Sequence, residues 1–250
     1  MVLDNVAIYC ICFPEHEPRK TQKYQKNIMC AASSISDEYR KKMRAKGYIF
    51  DDEGENISDL NWHFGDLTAT YWIWKNSNFS VVGTSHYRRF WSDDILKMNF
   101  DDNTLYVQEP TKLDDNVRNQ YIGSHGELGL KLIDELAKEN KIALTTEMLE
   151  KTYSLDYLYA CNMFIAQKHI YDKFCKVLFD IIFELYNTYK DVIEKLDSYN
   201  RRLPAFIAER VITALIVHKD HFFPGLTITT LEWEVKKPSI VERLMTGRSR

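Results

Sequence analysis

Apolar positions along the chain fall into runs and stripes that switch between strand and helix periodicity. Val6 to Phe13 is a continuous apolar, partly β-branched run closed by Pro14, as in a strand buried on both faces, and is expected to be a central parallel strand. From Thr21 to Lys46 the pattern turns charged and helical, and Gly47 is its stop signal. Asp51 to Glu55 reads as an acidic turn. Ile57, Leu60, Phe64, Leu67, Tyr71 and Trp74 recur at spacings of three and four and predict one helix over 57–75, capped by Asn56 or Ser58. Trp62, Asp66, Ala69 and Ile73 form a second stripe, so this helix is expected to be buried on two sides.

Phe79 to Thr84 is a short β-like run that delivers Ser85-His86-Tyr87-Arg88-Arg89 at its carboxyl end. Thr104 to Gln108 predicts another strand, Ser124 to Asn140 a helix followed by a looser stretch to Ser154, and Tyr157 to Ala166 a strand with Asn162 in its middle. Ile170 to Leu185 carries a strong amphipathic stripe, Pro204 opens a helix reaching Val217, and Leu226 to Leu231 alternates like a late strand. The alternation predicts an α/β single-domain sandwich over residues 1–235, with a mostly parallel central sheet flanked by helices, then a basic tail over 236–250. Ligands of such sheets sit outside the carboxyl ends of the strands.

A chain of 250 residues with 45% hydrophobic content can bury one substantial core, which favours one domain over two. The net charge of −3 offers no basic field for sequence-independent nucleic-acid binding, so no nucleic-acid partner is expected. Met1 to Val6 lacks the basic-then-apolar pattern of a signal peptide, and no apolar stretch approaches the roughly 20 residues of a membrane span. A cytoplasmic location is expected, with peripheral contact at the inner membrane face left open. The five cysteines show no C-x-x-C spacing and read as reduced thiols, with Cys10 and Cys12 on one face of the first strand.

His86-Tyr87-Arg88-Arg89 is the densest polar cluster, and guanidiniums beside a buried strand are costly unless they meet an anion such as a diphosphate. Adjacent side chains of an extended segment diverge, so one arginine is expected on phosphate and the other in a structural ion pair. The competing explanation is that both brace loops against Asp66, Asp93 or Asp94. Asp66, on its apolar stripe, is expected to be partly desolvated, either orienting a ligand hydroxyl or pairing with an arginine. Glu209 is a candidate base and Arg210 a candidate phosphate ligand, against a plain charged pair at a helix edge. His218 and His221 flank Asp220 with a spacing too common to define a metal site. No phosphate-binding P-loop, dinucleotide G-x-G-x-x-G, G-x-S-x-G or H-E-x-x-H occurs.

Asn56-Ile57-Ser58, Asp66 to Ala69, Tyr71 to Asn76, Gly83, His86 to Phe90, Asn162 to Ile165 and Phe206 to Arg210 together resemble a bacterial family long catalogued as a domain of unknown function, whose members occur in capsule and lipopolysaccharide gene clusters. The resemblance implies a GT-A fold and a glycosyltransferase, some members being associated with galactose or galactofuranose transfer. The implied substrates are a nucleotide diphosphate sugar donor and a surface glycan or lipid-linked acceptor. It further implies donor contacts at His86, Tyr87, Arg88, Arg89, Asn162 and Arg210, Asn162 lining the sugar. Glu209 stands first as general base and Asp66 second. The strict Asp-x-Asp of typical GT-A enzymes is absent, so no metal ligand is assigned; arginine charge is expected to replace part or all of a cation's role, with manganese or magnesium left as an option. The alternatives are a non-catalytic nucleotide-sugar- or carbohydrate-binding module of the same fold, and a phosphodiesterase using His86.

Overall fold

Val6–Cys12 (β1) lies between two parallel neighbours, and its alternating side chains enter different cores. Ala7, Tyr9 and Ile11 face the main helical core, Ile8 faces a cluster with Trp91, Tyr106 and Ile165, and Cys10 and Cys12 share a third cluster with Met29, Met43 and Phe50. This two-sided burial is what the continuous apolar run required. All five cysteines are free thiols.

The computed structural model describes residues 5–14 and 16–236; the first four residues and nearly all of the expected basic tail lie outside them. After β1 come Gln25–Met29 (β2), Asp37–Ala45 (α1), Ile49–Phe50 (β3), Asn61–Phe64 (α2), Leu67–Asn76 (α3), Val81–His86 (β4) and Arg89–Trp91 (β5). Thr104–Gln108 (β6), Thr111–Lys112 (β7), Val117–His125 (α4), Leu128–Lys138 (α5), Thr146–Tyr153 (α6), Tyr157–Leu158 (β8) and Phe164–Gln167 (β9) follow. The chain continues through Lys168–Ile193 (α7), Leu203–Val217 (α8), Lys219–Phe222 (α9), Thr227–Leu231 (β10) and Trp233–Val235 (β11).

The main sheet runs in the order β10-β6-β9-β4-β1-β2-β3, with β5 hydrogen-bonded to β4 and β11 to β5. Four pairings along this path are parallel, whereas β9 runs antiparallel to both β4 and β6. The result is the expected mixed α/β domain, one mostly parallel sheet flanked by helices. Among the described residues no helix is long and apolar enough to cross a membrane.

Several elements differ from their sequence pattern. Within Thr21 to Lys46, only Asp37–Ala45 is α-helical, capped by the Ser36 side chain accepting from Tyr39 N–H at 3.3 Å. Gln25–Met29 is a strand whose last two residues alone are buried, so its charged first half hid the period. The helix expected over 57–75 is broken at Gly65, whose φ of 53° and ψ of −129° suit glycine rather than a residue with a Cβ. The break leaves Trp62 70% exposed while Ala69 and Ile73 are buried. The helix expected over Ser124 to Asn140 is α5, which starts after Gly126 at positive φ; α4 precedes it where no helix was expected, and α6 occupies the stretch read as loose. Asn162 is not in a strand: Cys161 and Asn162 form a left-handed turn, with φ of 71° and 49°, immediately before β9.

Candidate active site

Chain order reverses at β1, whose next strand in sequence pairs on one side while β4 returns on the other. Ligands of open α/β sheets bind outside such a switch point. A cleft of about 610 Å³ lies there, lined among others by Phe13 after β1, Ala31 and Ser33 after β2, Asp59 and Trp62 around α2, Gly65, and Arg202 at the start of α8.

One wall of the cleft hangs on Asp51, which the sequence pattern placed in an acidic turn and the structure buries completely. Its carboxylate accepts from Ala31 N–H at 3.2 Å, Ala32 N–H at 2.9 Å, Ser58 Oγ at 2.6 Å and Thr68 Oγ1 at 2.5 Å. Burial raises its pKa, and the four hydrogen bonds oppose that rise. The loop after β2, the turn before α2 and the first turn of α3 are thereby tied to one anion.

Gly65 lines the cleft and Asp66 follows it directly. Asp66 Oδ2 accepts from Asn162 Nδ2 at 3.0 Å and lies 3.5 Å from His86 Nε2. His86 Nε2 is 2.7 Å from the carbonyl oxygen of Cys161. A carbonyl can only accept, so the proton is on Nε2 and Nδ1 is the bare nitrogen. Burial pushes the His86 pKa down; Asp66 pulls it up, and Arg89 and Arg88 add to the depression. The imidazole is therefore neutral at neutral pH.

Cys161 N–H donates to Glu209 Oε1 at 2.8 Å, and Glu209 Oε2 meets Arg210 Nη1 at 2.9 Å. Both oxygens of Glu209 are thus engaged inside the protein. Arg210 is 3% exposed, donating to the Phe206 carbonyl and to Gln120 and lying over the Tyr121 ring. Its partners are internal, unlike those expected of a diphosphate ligand.

Neither Arg88 nor Arg89 forms the expected structural ion pair among the described residues. Lys20 takes Asp93 and Glu234, Lys97 takes Asp94, and Asp66 faces His86 instead. Arg88 is exposed beside the Tyr87 ring, while Arg89 is half-buried and makes no side-chain hydrogen bond or ion pair among the described residues. The hairpin turn accounts for their divergence: Arg89 opens β5 directly opposite His86, and Arg88 sits at the tip. Tyr87 stacks on His16, with ring centroids 4.9 Å apart.

Asp66, His86 and Asn162 are therefore brought into direct contact, Glu209 joins them through Cys161, and Arg210, Tyr87 and Arg88 stand outside that contact. Sequence reasoning missed Asp51 and the cleft lining. Their available signal was position, since Phe13, Ala31 and Asp51 each directly follow a strand carboxyl end or lie within two residues of one. Among the described residues, no group of three or more His, Cys, Asp or Glu side chains could hold a metal ion. His218 instead points Nε2 at the Met148 carbonyl, at 3.2 Å.

The fold matches the apo structure of the WbbM bifunctional glycosyltransferase with a TM-score of 0.69 at 20% identity, over 94% of this chain and 46% of that one. The chain spans a little under half of that protein's length, and the likeness is one of fold. A comparison with curated proteins finds no match. Residues 8–220 match the family described as "Domain of unknown function (DUF4422)", and the chain belongs to that family.

Proposed function

We propose that the protein is a GT-A-like glycosyltransferase that moves a hexose, galactose or galactofuranose, from a nucleotide diphosphate sugar to a surface polysaccharide or lipid-linked oligosaccharide acceptor. The observation that carries this reading is the contact of Asp66 with His86 and Asn162, one residue along the chain from Gly65 in the lining of the switch-point cleft. A cleft of about 610 Å³ has room for a nucleotide sugar. Aromatic Phe13 and Trp62 can stack on a base, while Asp59 can accept from ribose hydroxyls and Arg202 can meet phosphate. The fold it shares with a bifunctional glycosyltransferase supports the same assignment.

In this reading Asp66 replaces Glu209 as the first candidate for general base. Its side chain is 14% exposed and uses Oδ2 for both Asn162 and His86, leaving Oδ1 for an acceptor hydroxyl. Glu209 has no such free oxygen. Asn162 contacts the donor sugar, and Arg89, a half-buried guanidinium with no ion pair among the described residues, meets the leaving diphosphate. Arginine charge then takes part of the role of a cation. His86, uncharged and fixed by the Cys161 carbonyl, orients Asp66.

The test is a panel of UDP-, GDP-, TDP- and CMP-sugars, with donor binding, slow donor hydrolysis and transfer to glycan acceptors followed together. Selective binding of one nucleotide sugar with its turnover supports the reading. Binding without turnover on any acceptor would make the chain a binding module, and cleavage of simple phosphodiesters would make it a phosphodiesterase.

A further inference from the structure

Two successive residues other than glycine, Cys161 and Asn162, hold left-handed backbone conformations, with φ of 71° and 49°. Asparagine tolerates that region, but for cysteine it is rare, and such backbone strain persists only where the surroundings enforce it. The surroundings here are unusually complete. Cys161 N–H is held by Glu209 Oε1 at 2.8 Å and its carbonyl by His86 Nε2 at 2.7 Å. The Asn162 carbonyl accepts from Thr84 Oγ1 at 2.9 Å, and the preceding carbonyl, that of Ala160, accepts from the Gln108 side chain. These clamps come from three separate elements, β4, β6 and α8. The side chain they present, Asn162, is 3% exposed, donates through Nδ2 to Asp66, and leaves its Oδ1 without a partner. A buried carbonyl oxygen left unpaired is costly, so the clamped turn keeps an acceptor waiting beside Asp66.

We propose that Glu209 is a positioning residue: together with Thr84 it holds the Cys161–Asn162 turn in its left-handed form, so that the free Oδ1 of Asn162 stands ready to accept from a hydroxyl of the donor sugar. The proposal rests on the glycosyltransferase reading for the identity of the ligand and on geometry alone for the clamp. Thr84 is fully buried, so it acts on a substrate only through the turn. Glu209 acts likewise, its two oxygens being taken up by Cys161 N–H and Arg210.

The test uses the Cys161 thiol as a reporter. It is the one cysteine of the five that is not fully buried, and burial pushes its pKa up to about 11, so in the wild type it reacts slowly with DTNB. Thr84→Val and Glu209→Gln are expected to speed Cys161 modification at least tenfold, with Cys161→Ser identifying the reacting site and a cooperative melt showing an intact fold. Both are expected to lower kcat/KM for transfer about tenfold without changing the shape of the pH–rate profile. In an Asn162→Ala background Thr84→Val should cost no further activity, whereas a merely structural role would add its loss to that of Asn162→Ala. If Glu209→Gln fails to fold because Arg210 loses its counter-ion, Thr84→Val carries the comparison. Unchanged thiol rates in folded variants overturn the clamp. Loss of one limb of the pH profile in Glu209→Gln, with Thr84→Val at wild-type activity, overturns the positioning role and makes Glu209 the base. The thiol rates need no donor, so a protein that turns over no nucleotide sugar would end the glycosyltransferase reading while the clamp is still judged.

Discussion

Asn162 Nδ2 donates to Asp66 Oδ2 at 3.0 Å, joining side chains 96 positions apart. That bond fixes which carboxylate oxygen is occupied and which is free. Asp66→Asn is therefore expected to lower kcat for transfer by about 100-fold or more, the range of a positioned base, while donor affinity changes less than about threefold. Steady-state kinetics paired with calorimetric donor titration measure the two separately, and a variant with near wild-type kcat would remove Asp66 from the chemistry.

The two arginines of the β4–β5 hairpin should separate clearly. Arg89→Ala is expected to weaken nucleotide diphosphate binding about tenfold or more, in line with one hydrogen bond to a charged group. Arg88→Ala, at the exposed tip, should change it less than about twofold. Equal losses by calorimetry would count against the division.

How much of this was legible in the sequence depends on where the deciding physics lies. The strands β1, β4 and β6 and the helices α7 and α8 could be read because their burial follows directly from local apolar periodicity. Gln25–Met29 could not, since only Ile28 and Met29 enter the core and the flanking lysines imitate a charged helix. The contact between Asp66, His86 and Asn162 was partly legible: each residue carries an uncommon polar group next to an apolar run, but their meeting is a property of sheet order. Asp51 was the deepest miss. An acidic run looks solvated in one dimension, and only the convergence of Ala31, Ala32, Ser58 and Thr68 makes one of its members a buried anchor.

Removing that anchor should be costly. Asp51→Ala would leave two hydroxyls and two backbone N–H groups without their acceptor, and is expected to destabilise the fold by about 3 kcal/mol, roughly a 10 °C fall in Tm for a chain of this size. Thermal melts followed by circular dichroism measure it. A Tm within about 2 °C of wild type would mean that water replaces the carboxylate.

Acid stability has a traceable contributor in His125. Burial, then the charges of Arg210 and Arg202, lower its pKa to about 4 in the folded protein, against about 6.5 in an unfolded chain. Between those values the unfolded state binds a proton that the native state refuses, so stability falls as pH drops from about 6.5 to about 4. Burial of Asp51 and Asp134 raises their pKa and acts with the opposite sign in the carboxylate range, so the comparison must be with a variant. His125→Phe keeps a ring against Phe206, and its Tm relative to wild type should rise steadily over that acid interval. A constant difference would show that His125 titrates normally.

Chelation tests the role given to Arg89. With EDTA present, transfer is expected to persist at a reduced rate. Complete loss, restored by manganese, would place the leaving-group charge on a cation.

The reversed strand β9 has a further consequence, for the order in which the molecule comes into being. Because β9 runs against β4 and β6, the turn that precedes it lies at the same sheet edge as the carboxyl ends of those strands, and Gly83 pairs with Ile165 across 82 positions of chain. During synthesis, β1 to β4 can form with Asp66 and His86 already in place, yet the pair lacks Asn162 until β9 slides between β4 and β6. Long-range closure of this kind is slow compared with the local helices. Donor binding should therefore be among the last properties a refolding chain regains, after its helical signal has returned.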